Sequence, residues 1–274
     1  MVRIRTEDDF DLDRIADSGQ CFRWEKLDDG AYRIVHRTYC TEIRPIGQGE
    51  WLLSCDEPEY ETVWYDYFDF GVDYRGVRAR IDREADPFLF HACEVGRGIR
   101  ILRQDPWETL ISFIISQNRN IPAIRKSVAM LCEAAGREMT DAQGRPYRVF
   151  PGPEDILALS GEALAACKLG YRCAYVRAAA EEVSSGRLDL DSLTEADEAT
   201  ALARLMNVYG VGVKVANCVS LFGLHHLDAF PVDVWIRRVL AREYTDGYPI
   251  ERYRPYNGIY QQYMFNCYRN RGGG

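Results

Sequence analysis

The run Tyr209-Gly210-Val211-Gly212-Val213-Lys214 is where residue type and spacing first suggest chemistry. Two glycines one residue apart permit a tight backbone reversal, because glycine reaches left-handed conformations at little cost. Apolar residues at helical spacing lie on both sides, in LARLM before the pair and VANCVSLF after it, so the reversal joins two helices. A helix opening at such a turn offers unpaired backbone N–H groups and the positive end of its dipole, which together favour a phosphate. A helix–turn–helix corner without a ligand fits the same spacing, and the pattern alone leaves both readings open. Lysine is scarce: Lys26, Lys126, Lys168 and Lys214 are the only lysines among 34 basic residues, so an amine beside this turn is an unusual choice. It also stands where the helix dipole disfavours a cation. Nineteen residues on from Lys214 stands Asp233, in Pro231-Val232-Asp233-Val234, which ends a loop and opens the helical run WIRRVLAREY. Asp233 is a good N-cap there, and capping is its plain structural reading.

The elements that must position these residues belong to a folded chain of 274 residues, 47% hydrophobic and 28% charged. One or two domains are expected, with enough buried surface that disulfide staples are unnecessary. The nine cysteines are odd in number and contain no CxxC pair, which argues against zinc-ribbon, iron–sulfur and disulfide-framework readings and for a reducing cytoplasm. The opening MVRIRTEDDF has no apolar signal core, and LISFIIS, the longest apolar stretch, is too short to span a bilayer, so no membrane partner is expected. His36, His91, His225 and His226 show no metal-ligand spacing. A net charge of −8 argues against a generally basic nucleic-acid binder. A hairpin that holds phosphate with backbone donors answers that objection, since it needs no basic patch.

Between Cys21 and Cys55, short β-prone runs alternate with the turn signals DDG and GQG, predicting an antiparallel meander. From DEPEYETVWYDYFDF (56–70) onward the period becomes helical, through ADPFLFHAC, DPWETLISFIISQ, IPAIRKSVAMLCEAAG and PEDILALSGEALAAC. The closing RGGG reads as a frayed tail. The fold class expected is α+β: an N-terminal antiparallel β-sheet domain over 1–100, then a mostly α-helical body of two subdomains over 101–274. In that body the helix-hairpin-helix lies near 200–220 and the Asp loop at 228–234.

GVGVKVANC followed by PVDV resembles the helix-hairpin-helix-Gly/Pro-Asp superfamily of DNA glycosylases, and the lysine resembles that of its bifunctional members. Members similar to endonuclease III carry a four-cysteine iron–sulfur loop after the catalytic helix, whereas only Cys267 follows Asp233 here, so no iron–sulfur cluster is expected. Within the superfamily the chain is most similar to 8-oxoguanine DNA glycosylases. SGQCFRW (18–24), ISQNRNIPAI (115–124), LGYRCAYV (169–176) and GIYQQYMF (258–265) resemble four further segments of that family, in order.

That resemblance implies a bifunctional glycosylase and AP lyase that flips 8-oxoguanine out of double-stranded DNA. It makes Lys214 the nucleophile, which must be unprotonated to attack and which would form a Schiff base with the sugar. Asp233 would stabilise the positive charge developing on the sugar. Gly19 would accept, through its carbonyl, a hydrogen bond from the N–H that distinguishes 8-oxoguanine from guanine. Phe265 and Cys218 would sandwich the base, Gln261 would read its Watson–Crick edge, and Pro231 would border the pocket. Asn118 would fill the gap in the stack, Tyr171 would wedge the opposite strand, and Arg172 would contact the estranged base. Gly210, Gly212 and Val215 would hold the DNA backbone. The carbonyls of Met206, Val208 and Val211 would hold a structural monovalent cation, K⁺ or Na⁺, and no catalytic metal is implied. Two positions depart from the eukaryotic pattern: Ala123 replaces an arginine that reads the opposite cytosine, and Trp235 replaces a histidine. Both suggest a bacterial or archaeal-type branch, with a monomer in the cytoplasm near the nucleoid. A glycosylase for another oxidised base, or a non-catalytic helix-hairpin-helix module, are the competing readings.

Overall fold

A computed structural model describes residues 1–271. Val2–Arg5 (β1), Trp24–Lys26 (β2), Tyr32–His36 (β3), Tyr39–Gly47 (β4) and Glu50–Leu53 (β5) form one antiparallel sheet in the order β1-β5-β4-β3-β2. The meander expected over 21–55 supplies four of these strands. The fifth, β1, was not expected, because a four-residue run with apolar Val2 and Ile4 between arginines is too short for a periodic signal. Alternation sets the register: Ile34, Ile43 and Leu53 are fully buried, with Ile43 opposite Leu53 and Trp24 opposite Ile34. Trp64, Tyr67 and Phe68 cover this face and complete the N-terminal core.

Helix starts follow one recipe, an acidic or amide cap and often a proline in the first turn. Asp11 caps Leu12–Asp17 (α1), Asp56 caps Glu57–Glu59 (α2), Asp73 caps Tyr74–Ala79 (α4) and Asp86 caps Pro87–Val95 (α5). Between α2 and Tyr65–Tyr67 (α3) the chain winds one π-helical turn over Tyr60–Trp64. Asp105 caps Pro106–Ser116 (α6) and Asn120 caps Ile121–Ala135 (α7). PEDILALSGEALAAC makes two helices, Pro153–Ala158 (α8) and Gly161–Ala166 (α9), because Leu159 turns extended and Ser160 caps a new start. A small hairpin, Glu138–Thr140 (β6) with Pro146–Arg148 (β7), precedes them. Arg172–Ser184 (α10), Leu190–Glu195 (α11), Glu198–Met206 (α12), Val213–Phe222 (α13), Val234–Glu243 (α14) and Asn257–Arg271 (α15) complete the body. A second buried cluster runs through these helices from Tyr74 to Cys267. Of the expected tail, Arg271 ends α15 and 272–274 lie outside the described residues. None of the described cysteines forms a disulfide.

The junction near residue 100 is a packed seam. Arg100 is buried, donates to the carbonyls of Asp9 and Asp69, pairs with Asp8 and lies 4.6 Å from the Tyr74 ring centroid. Gln20, also buried, donates to the Arg100 carbonyl at 2.8 Å and accepts from the Leu102 amide at 2.8 Å. The seam therefore fixes the segment that carries Gly19.

Candidate active site

The hairpin assigns different duties to its two glycines. Gly210 has φ +87°, and a Cβ there would lie 2.2 Å from the Tyr175 ring, so both conformation and space demand glycine. Gly212 is extended, with φ −95°, and nothing lies within 4 Å of where its Cβ would be. Open space outside Gly212 leaves room for an approaching group. Ala216 is the first amide bonded back, to the Gly212 carbonyl at 3.0 Å, so the amides of Val213, Lys214 and Val215 have no acceptor within the helix. The Val215 side chain is buried, and only its backbone is left to face a ligand.

Lys214 and Asp233 line one cavity of about 470 Å³, and Gly19, Cys218, Pro231, Gln261 and Phe265 line it with them. Residues up to 246 positions apart are thus gathered around a single volume. Lys214, half-buried, directs its Nζ to 3.4 Å from Ser116 Oγ and 5.1 Å from the Phe113 ring centroid. Burial pushes the Cys218 thiol up against the opposing pull of the Lys214 charge. Cys218 is therefore held as a neutral thiol, and the amine has no thiolate competitor beside it. Asp233 caps α14, its Oδ1 accepting from the Trp235 amide at 2.9 Å and the Ile236 amide at 2.8 Å. No ion pair within 4 Å joins it to Lys214 among the described residues. Asn217, one turn along from Lys214, accepts from the Phe230 amide at 3.1 Å and so ties α13 to the loop that delivers Asp233.

Two adjacent glutamines form the cavity wall on α15. Gln261 Nε2 donates to the Pro231 carbonyl at 2.9 Å, and Gln262 Nε2 donates to Gln261 Oε1 at 3.0 Å. Opposite them, Gly19 has φ +79°, and its Cβ position lies 3.6 Å from the Phe265 ring. The part-buried Arg23–Glu108 pair, at 2.9 Å, anchors this segment to α6; burial raises the Glu108 carboxyl and Arg23 opposes that.

On the rim, Asn118 has φ +52° and donates to the Tyr171 hydroxyl at 3.1 Å, and Tyr171 is 53% exposed. The rings of Tyr171, Tyr175 and Tyr209 follow one another edge to face, at 5.7 and 5.0 Å. Gln117 donates to the Gly210 carbonyl at 3.1 Å, which joins the Asn118 loop to the hairpin. Arg172 differs from expectation. It is buried beneath the Tyr171 ring, and its guanidinium donates to the carbonyls of Gln117 and Leu169 instead of facing outward to a base. Those carbonyls would otherwise lose a partner in the turn, and they hold the cation inside. Arg119 is bonded to Ser127 and the Lys168 carbonyl, and Arg125 to the Ala16 carbonyl. Ala123 lies in the first turn of α7, where its amide donates to the Asn120 cap.

Sequence reading passed over Phe113, Ser116, Gln117, Asn217 and Gln262. Phe113 and Ser116 sit in an apolar run that reads as core, and an amide beside the helix that carries Lys214 gives no signal of its own. At the hairpin, the Val208 carbonyl accepts from the Val211 amide at 3.0 Å, and Met206 and Val208 flank the turn. Among the described residues no group of three or more His, Cys, Asp or Glu side chains is placed to hold a metal.

Residues 2–110 match the family model for the N-terminal domain of 8-oxoguanine DNA glycosylase, and residues 111–247 match that of the HhH-GPD superfamily base excision DNA repair proteins. The fold superposes on MBOgg1, solved in complex with a low affinity DNA ligand, with a TM-score of 0.92 and 36% identity over 98% of this chain and 96% of that one. It also superposes on the Clostridium acetobutylicum 8-oxoguanine glycosylase/lyase bound to dsDNA containing cytosine opposite to 8-oxoG. There the TM-score is 0.89 and the identity 30%, over 99% of each chain. The N-glycosylase/DNA lyase of Saccharomyces cerevisiae is 36% identical over 159 residues, 54% of this chain and 42% of the yeast protein. The match thus spans less than half the length of that relative.

Proposed function

The chain belongs to the HhH-GPD superfamily of base excision DNA repair proteins, and from that premise we propose that it is a bifunctional DNA glycosylase and AP lyase that removes 8-oxoguanine from duplex DNA. The observation that carries this reading is the convergence of Lys214, Asp233 and five pocket residues on one cavity beside the hairpin.

The unpaired amides at the start of α13 grip a phosphate, and Asn118 and Tyr171 occupy the stack as the damaged nucleotide turns outward. The base enters between Phe265 and Cys218, with Gln261 at its Watson–Crick edge and the Gly19 carbonyl accepting its N7–H. Once its ammonium has given up a proton, Lys214 gives the amine lone pair to the anomeric carbon as the glycosidic bond breaks and the base departs with that electron pair, taking up a proton. Asp233 balances the positive charge on the sugar in that transition state. Ring opening leaves a protonated Schiff base, and loss of a C2′ proton expels the 3′ phosphate. The carbonyls of Met206, Val208 and Val211 would hold a monovalent cation, which would supply positive charge for a phosphate at the hairpin; the Val208 oxygen accepts from the Val211 amide and keeps a second lone pair for such a role. No helix among the described residues is long and apolar enough to cross a membrane; acting on DNA supports a location beside the nucleoid, in a prokaryotic cytoplasm.

Borohydride reduction on a duplex bearing 8-oxoguanine tests the reading, because only an imine is trapped. Wild-type protein is expected to cross-link through Lys214, and Lys214→Gln to lose both trapping and base release. A Lys214→Gln protein that still cleaves at the wild-type rate, or a wild type that binds the duplex without trapping, refutes it. The second outcome would favour a binding module, although phosphate binding uses neither Lys214 nor Asp233.

A further inference from the structure

The two glutamines of the cavity wall have a polarity. A side-chain amide carries a donor at one end and an acceptor at the other, and turning it over exchanges them. The Pro231 carbonyl can only accept, so Gln261 must present Nε2 to it and Oε1 away from it. Gln262 then reaches that Oε1 with its own Nε2, which fixes the second amide as well. Its remaining atom is left over: Gln262 is 4% exposed, and its buried Oε1 has no hydrogen-bond partner. An orphaned acceptor is costly, so an apolar side chain of the same shape would serve the core better.

We propose that Gln262 is a positioning residue that reinforces the polarity the Pro231 carbonyl sets on Gln261 and thereby sharpens the pocket's selection of a guanine-type over an adenine-type base edge. The inference rests on the glycosylase reading above. After its bonds to Pro231 and Gln262, Gln261 retains one N–H and one lone pair. Guanine and 8-oxoguanine offer the acceptor O6 beside the donor N1–H, whereas adenine and 8-oxoadenine offer a donor N6–H beside the acceptor N1. A freely turning amide serves either edge, but one clamped at both ends serves one of them. The bond from Gln262 is the second clamp, and without it the Pro231 carbonyl holds Gln261 alone.

The test is a four-way comparison of single-turnover excision, with wild type and Gln262→Met acting on duplexes that carry 8-oxoguanine or 8-oxoadenine. Met keeps the volume and removes both polar atoms. The ratio of the two rates is expected to fall about 2- to 13-fold in Gln262→Met, the equivalent of one neutral hydrogen bond. Its melting temperature is expected to equal or exceed that of wild type, an outcome foreign to a merely structural glutamine. Gln262→Ala, made in parallel, is expected to lose selectivity to the same extent and serves if the Met protein fails to fold. An unchanged ratio in a folded variant, while wild type releases 8-oxoguanine, overturns the inference and leaves the glycosylase reading standing. Absence of borohydride trapping by wild type overturns both.

Discussion

Replacing Asp233 by Asn separates the two duties that its oxygens divide. Oδ1 carries the cap, accepting the Trp235 and Ile236 amides at 2.9 and 2.8 Å, and asparagine keeps an oxygen able to do the same. Folding stability is therefore expected to change by less than about 1 kcal/mol, within the range of a retained cap. What disappears is a full negative charge on the cavity wall. A unit charge about 4 Å from a developing cation, at an effective dielectric near 20, contributes roughly 4 kcal/mol. Since about 1.4 kcal/mol is a factor of ten in rate, base excision should slow on the order of a thousandfold. Asp233→Ala should show the same kinetic loss and, in addition, about 1 kcal/mol of lost stability from the missing cap. Single-turnover excision of 8-oxoguanine, with urea melts of all three proteins, measures both quantities. If Asp233→Asn excises within tenfold of wild type, the charge does not act on the transition state. If it unfolds like the alanine variant, the residue is chiefly a cap.

Three further outcomes are expected. Ala123 removes a bidentate contact worth roughly 1–3 kcal/mol, and Arg172 is committed to backbone carbonyls, so excision opposite adenine, guanine or thymine should approach that opposite cytosine; a cytosine preference above about a thousandfold in single-turnover rates contradicts this. Gly210→Ala forces a side chain into φ +87° and into the Tyr175 ring and should cost on the order of 2 kcal/mol of stability, whereas Gly212→Ala should melt like wild type and bind duplex more weakly in a filter or anisotropy titration. His36 lies against the Tyr67 ring, and its pKa is pushed down to about 3 by burial and then by Arg37 and Arg23. The unfolded chain takes up that proton first, so the contribution is complete above about pH 6.5 and drains as pH falls towards 3. Between pH 6.5 and 5 wild type should lose about 2 kcal/mol more than His36→Phe, read from urea melts at the two pH values.

The parts of the fold that repeat a local rule were readable from the chain. Strands β2 to β5 alternate between clear turn signals, and helix after helix opens on Asp or Asn with a proline behind it. β1 lacked length, and the break inside PEDILALSGEALAAC depended on Ser160 acting as a cap, a local preference too weak to end an apolar helical period by itself. Within the site, Lys214 and Asp233 stood out because a glycine pair and a proline frame them. Arg172 did not reveal its burial, because an arginine beside an exposed tyrosine reads as a surface cation and only the Gln117 and Leu169 carbonyls draw it inward. Nor does the run YQQY tell which glutamine borders Pro231 and which stands behind it. Those facts are set by pairings across long separations, which no window of sequence contains.

The chain of tyrosine rings from Tyr171 through Tyr175 to Tyr209, seated under Gly210 and braced by Gln117, turns two loops and a hairpin into a caliper. Its jaws are the exposed Tyr171 ring and the amides that open α13, and the edge-to-face rings span the space between them. On the proposed function, a duplex that meets both jaws would have to supply that distance itself, by kinking at Tyr171 while its backbone stays on the hairpin. Stiff, well-stacked steps resist, and steps weakened by a lesion yield at lower cost. On the proposed function, the protein would gauge the compliance of DNA before any base reaches Gln261, by mechanics first and by chemistry second.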